Sequence, residues 1–234
     1  PNAQHPPPLL HALGLLEERA GNHAAARRHL NEVIEVDPSF TQAHLALGKL
    51  EEGLGRYEAA ARAYQLGATA SQRGGEPGPV QLWQSWARME QYRRRPQSAM
   101  RLYARAARFY PEDARLLTEW GKLAAELGDV EEARDIFQRT LGLQPAPPPY
   151  AFQSAAALEV REGEIDAARA IFSRGVATLV PALRSGDDAL AEELVPLVHA
   201  WAVCEWRHGD ALAARGLFRQ AEELSPAPCS WVFM

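Results

Sequence analysis

The residues able to do chemistry are scattered along the chain. Seven histidines stand at positions 5, 11, 23, 29, 44, 199 and 208, with no HExxH pair among them and no clustering with cysteine. The two cysteines, Cys204 and Cys229, keep no CxxC interval, and Cys204 falls at an apolar helix position where a small buried hydrophobe is expected. There is no GxSxG turn to expose a nucleophile, no GxxxxGK(S/T) loop to cradle phosphates and no GxGxxG fingerprint. The Gly-rich run SQRGGEP (Ser71–Pro77) opens no such motif and reads as a connector. Acid pairs at Glu131–Glu132, Asp187–Asp188 and Glu192–Glu193 sit at or near helix starts, where the helix dipole favours them. One carboxylate does recur, at Glu17, Glu51, Glu90, Glu159 and Glu205. A catalytic acid is singular, whereas one copied in nearly every unit is structural. The expectation is a chain without catalysis, cofactor or metal, whose chemistry is binding.

Composition limits what it binds. The 234 residues carry 25 Lys and Arg against 30 Asp and Glu, a formal net charge of -5. Counterion release requires concentrated cations, so this balance disfavours a generic polyanion binder while allowing a local basic strip. Arginine dominates, since Lys49 and Lys122 are the only lysines. With 47% hydrophobic and 24% charged residues the chain is foldable and soluble. No apolar run approaches the ~20 residues of a membrane span, and no signal peptide opens the sequence. The chain starts Pro1-Asn2 and stops at Trp231-Val232-Phe233-Met234, so it reads as a fragment whose last residues begin a further helix.

The elements that must position these residues come from a repeat. GDVEEARDIFQRTLGLQP (Gly128–Pro145) is echoed by GEIDAARAIFSRGVATLVP (Gly163–Pro181) and GDALAARGLFRQAEELSP (Gly209–Pro226). Six anchors, Gly21, Gly55, Arg94, Gly128, Gly163 and Gly209, are spaced 34, 39, 34, 35 and 46 residues apart. Five residues after each anchor stands Ala26, Ala60, Ala99, Ala133, Ala168 or Ala214. Nine after stands Leu30, Tyr64, Tyr103, Phe137, Phe172 or Phe218. Before the anchors, Leu13, Leu47, Trp86, Trp120, Ala155 and Trp201 recur at eight, and Leu16, Leu50, Met89, Leu123, Leu158 and Cys204 at five. Intervals of three and four share a helix face. Glycine suits a helix end with φ > 0, and the trailing proline stops the second helix. Each unit is therefore helix–turn–helix. Pairs repeated at about this period bury their apolar faces only by stacking on neighbours. The predicted repeats span 7–38, 41–72, 80–111, 114–145, 149–181 and 192–226 in one array over 1–234, with loop insertions at 71–79 and 181–191 and a further repeat starting at 227–234.

Small residue, aromatic, small residue and proline at these offsets resemble the second half of a tetratricopeptide (TPR) repeat. WQSWARMEQ (Trp83–Gln91) and HAWAVCEWRHG with AARGLF (His199–Gly209, Ala213–Phe218) look like the half-a-TPR (HAT) variant, which pairs Trp and Glu in its first helix with Ala-Arg in its second. Four before the anchor TPR has an aromatic, where this chain has the recurring Glu, or Ala124. An Arg follows the packing Ala at Arg27, Arg134, Arg169 and Arg215, replaced by Ala61 and Met100 in two copies. The resemblance implies an all-α α-solenoid, a right-handed superhelix of about six TPR/HAT repeats. A carboxylate near a guanidinium makes a two-pronged hydrogen bond. Glu17–Arg27, Glu159–Arg169 and Glu205–Arg215 are accordingly expected to staple the two helices of one repeat.

TPR-like geometry also assigns a groove lined by first helices. Six before the anchor stand Lys49, Arg88 and Lys122, a cationic line in repeats two to four. Around it the same geometry places Gln81, Gln84, Arg115 and Thr118, with Tyr92, Gln153 and Arg161. Cations hold phosphates, amides hydrogen-bond base edges and tyrosine stacks on an unpaired base. Arg93-Arg94-Arg95 adds charge at a turn. Exposed helix faces also carry Lys and Arg merely for solubility, and an acidic peptide fits such a groove nearly as well. The motif style resembles nucleus-encoded chloroplast HAT proteins. That resemblance implies single-stranded RNA as ligand, with 5′-end stabilisation or translation of organellar transcripts as function and the chloroplast stroma as location. The alternative is a scaffold for protein partners or self-association, inside the cell and in the nucleus for spliceosomal and 3′-end-processing relatives; the acidic balance favours it.

Overall fold

The structure is a computed structural model that describes residues 6–73, 78–183, 188–208 and 210–224. Among the described residues it is entirely helical. The helices are α1 (Pro7–Arg19), α2 (His23–Val36), α3 (Thr41–Gly53), α4 (Tyr57–Arg73), α5 (Val80–Tyr92), α6 (Pro96–Phe109), α7 (Ala114–Leu127), α8 (Val130–Leu141), α9 (Pro149–Glu162), α10 (Ile165–Leu183), α11 (Asp188–Arg207) and α12 (Ala211–Leu224). They fall into two compact units, Pro1–Pro111 and Glu112–Met234. Inside each unit the helices pair as hairpins, α1–α2, α3–α4 and α5–α6 in one, α7–α8, α9–α10 and α11–α12 in the other. First helices also pack on first helices, α1 on α3 on α5 and α7 on α9 on α11.

The anchors turn as the pattern requires. Gly21, Gly55, Gly128 and Gly163 have φ of 81°, 71°, 85° and 84°, left-handed values that glycine adopts without a Cβ clash. Arg94 takes the same position with φ of 60°, an arginine held in a conformation that L-residues disfavour. Gly209 lies outside the described residues. Pro181 does not stop its helix: α10 continues through it to Leu183, and α11 begins at Asp188, so the connection expected over 181–191 is helical at both ends. A proline this close to a helix end forfeits one backbone bond in the last turn and is tolerated there. The segment expected as a loop over 71–79 is likewise helical up to Arg73.

Packing within a hairpin rests on small residues. Ala26, Ala60, Ala99, Ala133, Ala168 and Ala214 are all fully buried. Four residues further on, Leu30, Tyr64, Tyr103, Phe137 and Phe172 are buried as well. Leu30, Tyr64 and Phe137 are each received by a glycine on the facing first helix, Gly14, Gly48 and Gly121. A Cβ on Gly48 would stand 2.2 Å from Tyr64 Cε1, and one on Gly121 would stand 2.9 Å from Phe137 Cε1. Tyr64 is thus seated on bare backbone, and its hydroxyl donates to Glu52 Oε2 at 2.9 Å. Trp86, Trp120 and Trp201 are half-buried, and the indole of Trp201 stacks on Phe172 at 6.2 Å. Cys204 is buried as expected, and burial raises its thiol pKa; Cys229 lies outside the described residues, as does the 227–234 segment expected to begin a further repeat.

Gly48→Ala should destabilise the fold although alanine is the better helix former by about 1 kcal/mol. The added methyl must displace a buried ring, and overpacking of this kind costs about 1–3 kcal/mol. Gly53→Ala in the same helix meets nothing within 4 Å and should be neutral or stabilising. Urea unfolding of the pair checks the contrast. A second expectation concerns His44, buried between α3 and its surroundings. Its Nε2 donates to Pro38 O at 3.0 Å, while its Nδ1 is buried without a hydrogen-bond partner. Burial pushes the imidazole below its ordinary value of 6.5. The unfolded chain therefore takes up a proton that folded His44 refuses, and stability falls as pH drops below about 6.5. Thermal unfolding followed from pH 7.5 to 5.5 should show this decline, with a shallower slope in His44→Asn.

Candidate functional site

The recurring glutamate is paired, but with a different arginine from the one expected. Arg27 on α2 holds Glu51 on α3 through Nε to Oε1 and Nη2 to Oε2. Arg134 on α8 holds Glu159 on α9 at 3.0 and 2.8 Å, and Arg169 on α10 holds Glu205 on α11 at 3.0 and 2.7 Å. Each staple thus joins the second helix of one repeat to the first helix of the next. The expected pairs within a repeat, Glu17–Arg27, Glu159–Arg169 and Glu205–Arg215, do not form. Glu17 instead accepts from Asn22 Nδ2 at 2.7 Å, and Arg215 is exposed. The reason is angular. The alanine before each arginine faces its own first helix, and the next residue lies about 100° further round, toward the following repeat.

The electrostatics arise from this geometry. Glu51, Glu159 and Glu205 are buried carboxylates. The hydrogen bonds from Arg169, and secondarily from Trp201 Nε1 at 2.9 Å, hold the Glu205 carboxyl below the usual range against the opposing effect of burial. The same hydrogen bonds raise the pKa values of Arg27, Arg134 and Arg169 further above their ordinary value.

The groove residues are only partly presented. Lys49 on α3 and Arg88 on α5 are exposed in the first unit, as are Gln81 and Tyr92, while Gln84 is half-buried. Glu52, the acceptor for Tyr64, carries a charge felt at the same phenol as that of Arg88, so acid is interleaved with the cations there. Tyr92 packs at 6.1 Å against Tyr57. In the second unit Lys122 is exposed but bonded to Glu119 at 3.0 Å, and Arg161 is bonded to Glu162 at 3.0 Å. Arg115 is exposed and Gln153 half-buried. Thr118 does not face solvent: it is buried with Leu116 and Leu117, and its hydroxyl donates back to Ala114 O at 2.6 Å. It belongs to the packed side of α7, so it is a structural residue.

Sequence reasoning missed a cluster of arginines in the first unit. An open hollow of about 690 Å³ lies among α4, α5 and α6, lined by Arg62, Arg93, Arg95, Arg101, Arg105 and Trp86. Ala61 forms part of its wall, at the position where other repeats carry the stapling arginine. Glu90 keeps the acid position and is served by Arg93 of its own repeat at 3.4 Å. Arg93 also bonds Glu58 and stands 5.4 Å over the Tyr57 ring. The Arg105 guanidinium stands 5.3 Å over the Trp83 ring. The available signal was the combination of Ala61 with a retained Glu90, together with the arginines of the turn and of α6.

The tetratricopeptide repeat model matches residues 11–75 and 85–149, more than half of the chain. The chain belongs to the tetratricopeptide repeat family. Among curated proteins it is similar to the chloroplast psbB mRNA maturation factor Mbb1 of Chlamydomonas reinhardtii, 27% identical over 215 residues. That match covers 90% of this chain and 30% of the relative, so the chain spans about a third of that protein's length. Among solved structures, the C-terminal part of a TPR repeat-containing protein from Cytophaga hutchinsonii superposes with a TM-score of 0.67 at 13% identity, covering 95% of this chain and 84% of that one. The pilF protein of Pseudomonas aeruginosa superposes with a TM-score of 0.58 at 19% identity, covering 94% and 92%. At these identities the two likenesses establish the fold. They leave the ligand of this tetratricopeptide repeat chain to its own residues. Among the described residues no group of three His, Cys, Asp or Glu could hold a metal ion, and no helix is long and apolar enough to cross a membrane.

Staples between repeats make a prediction that staples within them do not. In a double-mutant cycle on chemical unfolding, Arg134→Ala and Glu159→Gln should be strongly non-additive. Glu159→Gln and Arg169→Ala should simply add, because separate partners hold them. Arg27→Ala should cost about 2 kcal/mol, as removal of one half of a largely buried pair leaves Glu51 with the more distant Arg56.

Proposed function

We propose that this tetratricopeptide repeat chain is a non-catalytic RNA-binding segment that serves maturation or 5′-end stabilisation of organellar, chloroplast-type transcripts. The observation that carries this reading is the similarity to an mRNA maturation factor along 90% of the chain. The geometry is compatible with it in a particular way. Lys49 and Arg88 are exposed on neighbouring first helices of one unit, with Gln81 and Tyr92 also exposed nearby in sequence. These are side chains that hold phosphates, hydrogen-bond base edges and stack on unpaired bases. A stacked helical array offers a long binding surface without any reacting group, and its occupation of several nucleotides would block an exonuclease by exclusion. A protein partner is the competing occupant, consistent with the net charge of -5.

Fluorescence titration with single-stranded and double-stranded RNA at 50 and 200 mM salt tests the reading. The single strand should bind more tightly, and its affinity should fall as salt rises because cation–phosphate contacts release counterions. Combined Lys49→Glu, Arg88→Glu and Lys122→Glu substitution should lower the affinity more than tenfold. Equal binding of the two RNA forms, or indifference to salt, would remove the basis for an RNA ligand.

A further inference from the structure

The hollow among α4, α5 and α6 exists because one staple is missing. Wherever the acid position and the preceding arginine position are both filled within a unit, an arginine crosses to the glutamate: Arg27 to Glu51, Arg134 to Glu159, Arg169 to Glu205. Between the second and third repeats the crossing side chain is reduced to the methyl of Ala61, while Glu90 is retained and buried. Arg93 neutralises Glu90 from below, reaching it from the turn that succeeds α5. The volume that a crossing guanidinium would fill is left open, and the surrounding surface is lined by arginine. Within the hollow the ion pairs given by the structure join Arg93 to Glu58 and Glu90. Arg62, Arg95 and Arg101 are exposed around its rim; Arg101 reaches Ser98 Oγ at 3.1 Å and Arg62 reaches Glu58 O at 3.3 Å, both neutral acceptors.

Five arginines against two carboxylates leave this wall cationic in a chain that is acidic overall. Guanidinium forks match the oxygen geometry of phosphate in two-pronged fashion. A volume of about 690 Å³ exceeds what a bare phosphate needs and lies in the range of small-ligand sites. The wall also offers Trp86, half-buried and stacked at 6.3 Å on Trp83, as an aromatic surface for a ring attached to that phosphate. We infer that this hollow is a nucleotide subsite for single-stranded RNA, with the arginine rim taking backbone phosphate and Trp86 taking the base. The subsite lies among α4, α5 and α6, includes both second helices, and uses none of the groove residues Lys49, Arg88 or Lys122. It rests on the RNA reading above and adds to it a second point of contact for the strand.

The decisive variant restores what the repeat pattern lacks. Ala61→Arg supplies a guanidinium opposite Glu90, as Arg27 does at Glu51, and narrows the hollow from its α4 wall. A second variant, Arg62→Ser with Arg101→Ser, removes rim charge without filling it. Both are compared with the unsubstituted 234-residue chain by titrating a labelled ten-nucleotide single-stranded RNA, and separately a glutamate decapeptide, at 50 mM salt, with thermal unfolding recorded alongside. The expected result is a loss of RNA affinity of about tenfold in each variant, with the unfolding midpoint of Ala61→Arg unchanged or raised. If RNA binds and both variants bind it as the parent chain does, the subsite is overturned and the groove reading stands. If the parent chain binds no RNA, both fall together. If the decapeptide binds in place of RNA and Ala61→Arg weakens it, the hollow is a site for an acidic peptide and the nucleotide assignment is overturned.

Discussion

The whole fold depends on one close approach. A large side chain nine residues after the turn must lie across the first helix of its own hairpin, and the position it crosses there is small: glycine at Gly14, Gly48 and Gly121, alanine in the other copies. At Gly48 the Tyr64 ring occupies the space a Cβ would need, and at Gly121 the Phe137 ring does the same. Alanine four residues earlier on the second helix keeps the two axes near enough for the ring to reach. Once this contact sets the spacing of a hairpin, one face of the hairpin remains apolar and requires a neighbour. Leu16 illustrates the requirement: its counterparts Leu50, Met89, Leu123, Leu158 and Cys204 are buried, but Leu16 is 61% exposed on the first helix of the first hairpin.

Stacking of apolar faces is tolerant of small slips, whereas a bidentate ion pair is not. The arginine–glutamate staples fix which turn of one repeat meets which turn of the next, since the planar fork engages both carboxylate oxygens only in one alignment. Such partly buried pairs contribute modestly to net stability and more to register. At Arg27, Arg134 and Arg169 a flexible ammonium would satisfy the charge but not the geometry. The left-handed turn at Gly21, Gly55, Arg94, Gly128 and Gly163 completes the arrangement by aiming the second helix, and Arg94 adopts it despite its side chain because the helices on either side already determine the path.

The helices, the hairpins and the buried alanines and aromatics were legible in the sequence because each recurs, and recurrence exposes positions that a single copy would hide. The glycine that receives the ring was harder to see, since it alternates with alanine in the other copies and carries no chemistry of its own. The partner of each glutamate was misjudged for a different reason. Glu159 and Arg169 are ten residues apart and share a hairpin, so proximity along the chain favoured them, but the helical rotation between Ala168 and Arg169 sends the guanidinium to α11. Thr118 was placed in the groove by analogy of position, whereas α7 buries its first turn through Leu116 and Leu117 as well. A surface pattern inferred from one helix does not include what packs over it.

Departures from the repeat are where function is most readily accommodated. A position that every copy fills identically serves the stack, and little freedom is left there for a ligand. Two copies lack the stapling arginine, at Ala61 and Met100, and they differ in the acid position of the next repeat. After Met100 that position is Ala124, so charge disappears from both sides and nothing ionic is left over. After Ala61 the acid remains as Glu90, a buried carboxylate that would be costly without a cation. The local solution, Arg93, sits at the edge of an arginine cluster larger than Glu90 requires. Arg93 serves Glu90 and Glu58, and Arg95 also acts on Glu58, while Arg62 and Arg101 reach neutral acceptors. Like charges gathered at one place weaken a folded chain unless something opposes them, and Glu58 and Glu90 are the two carboxylates set against the five guanidinium groups that line this hollow.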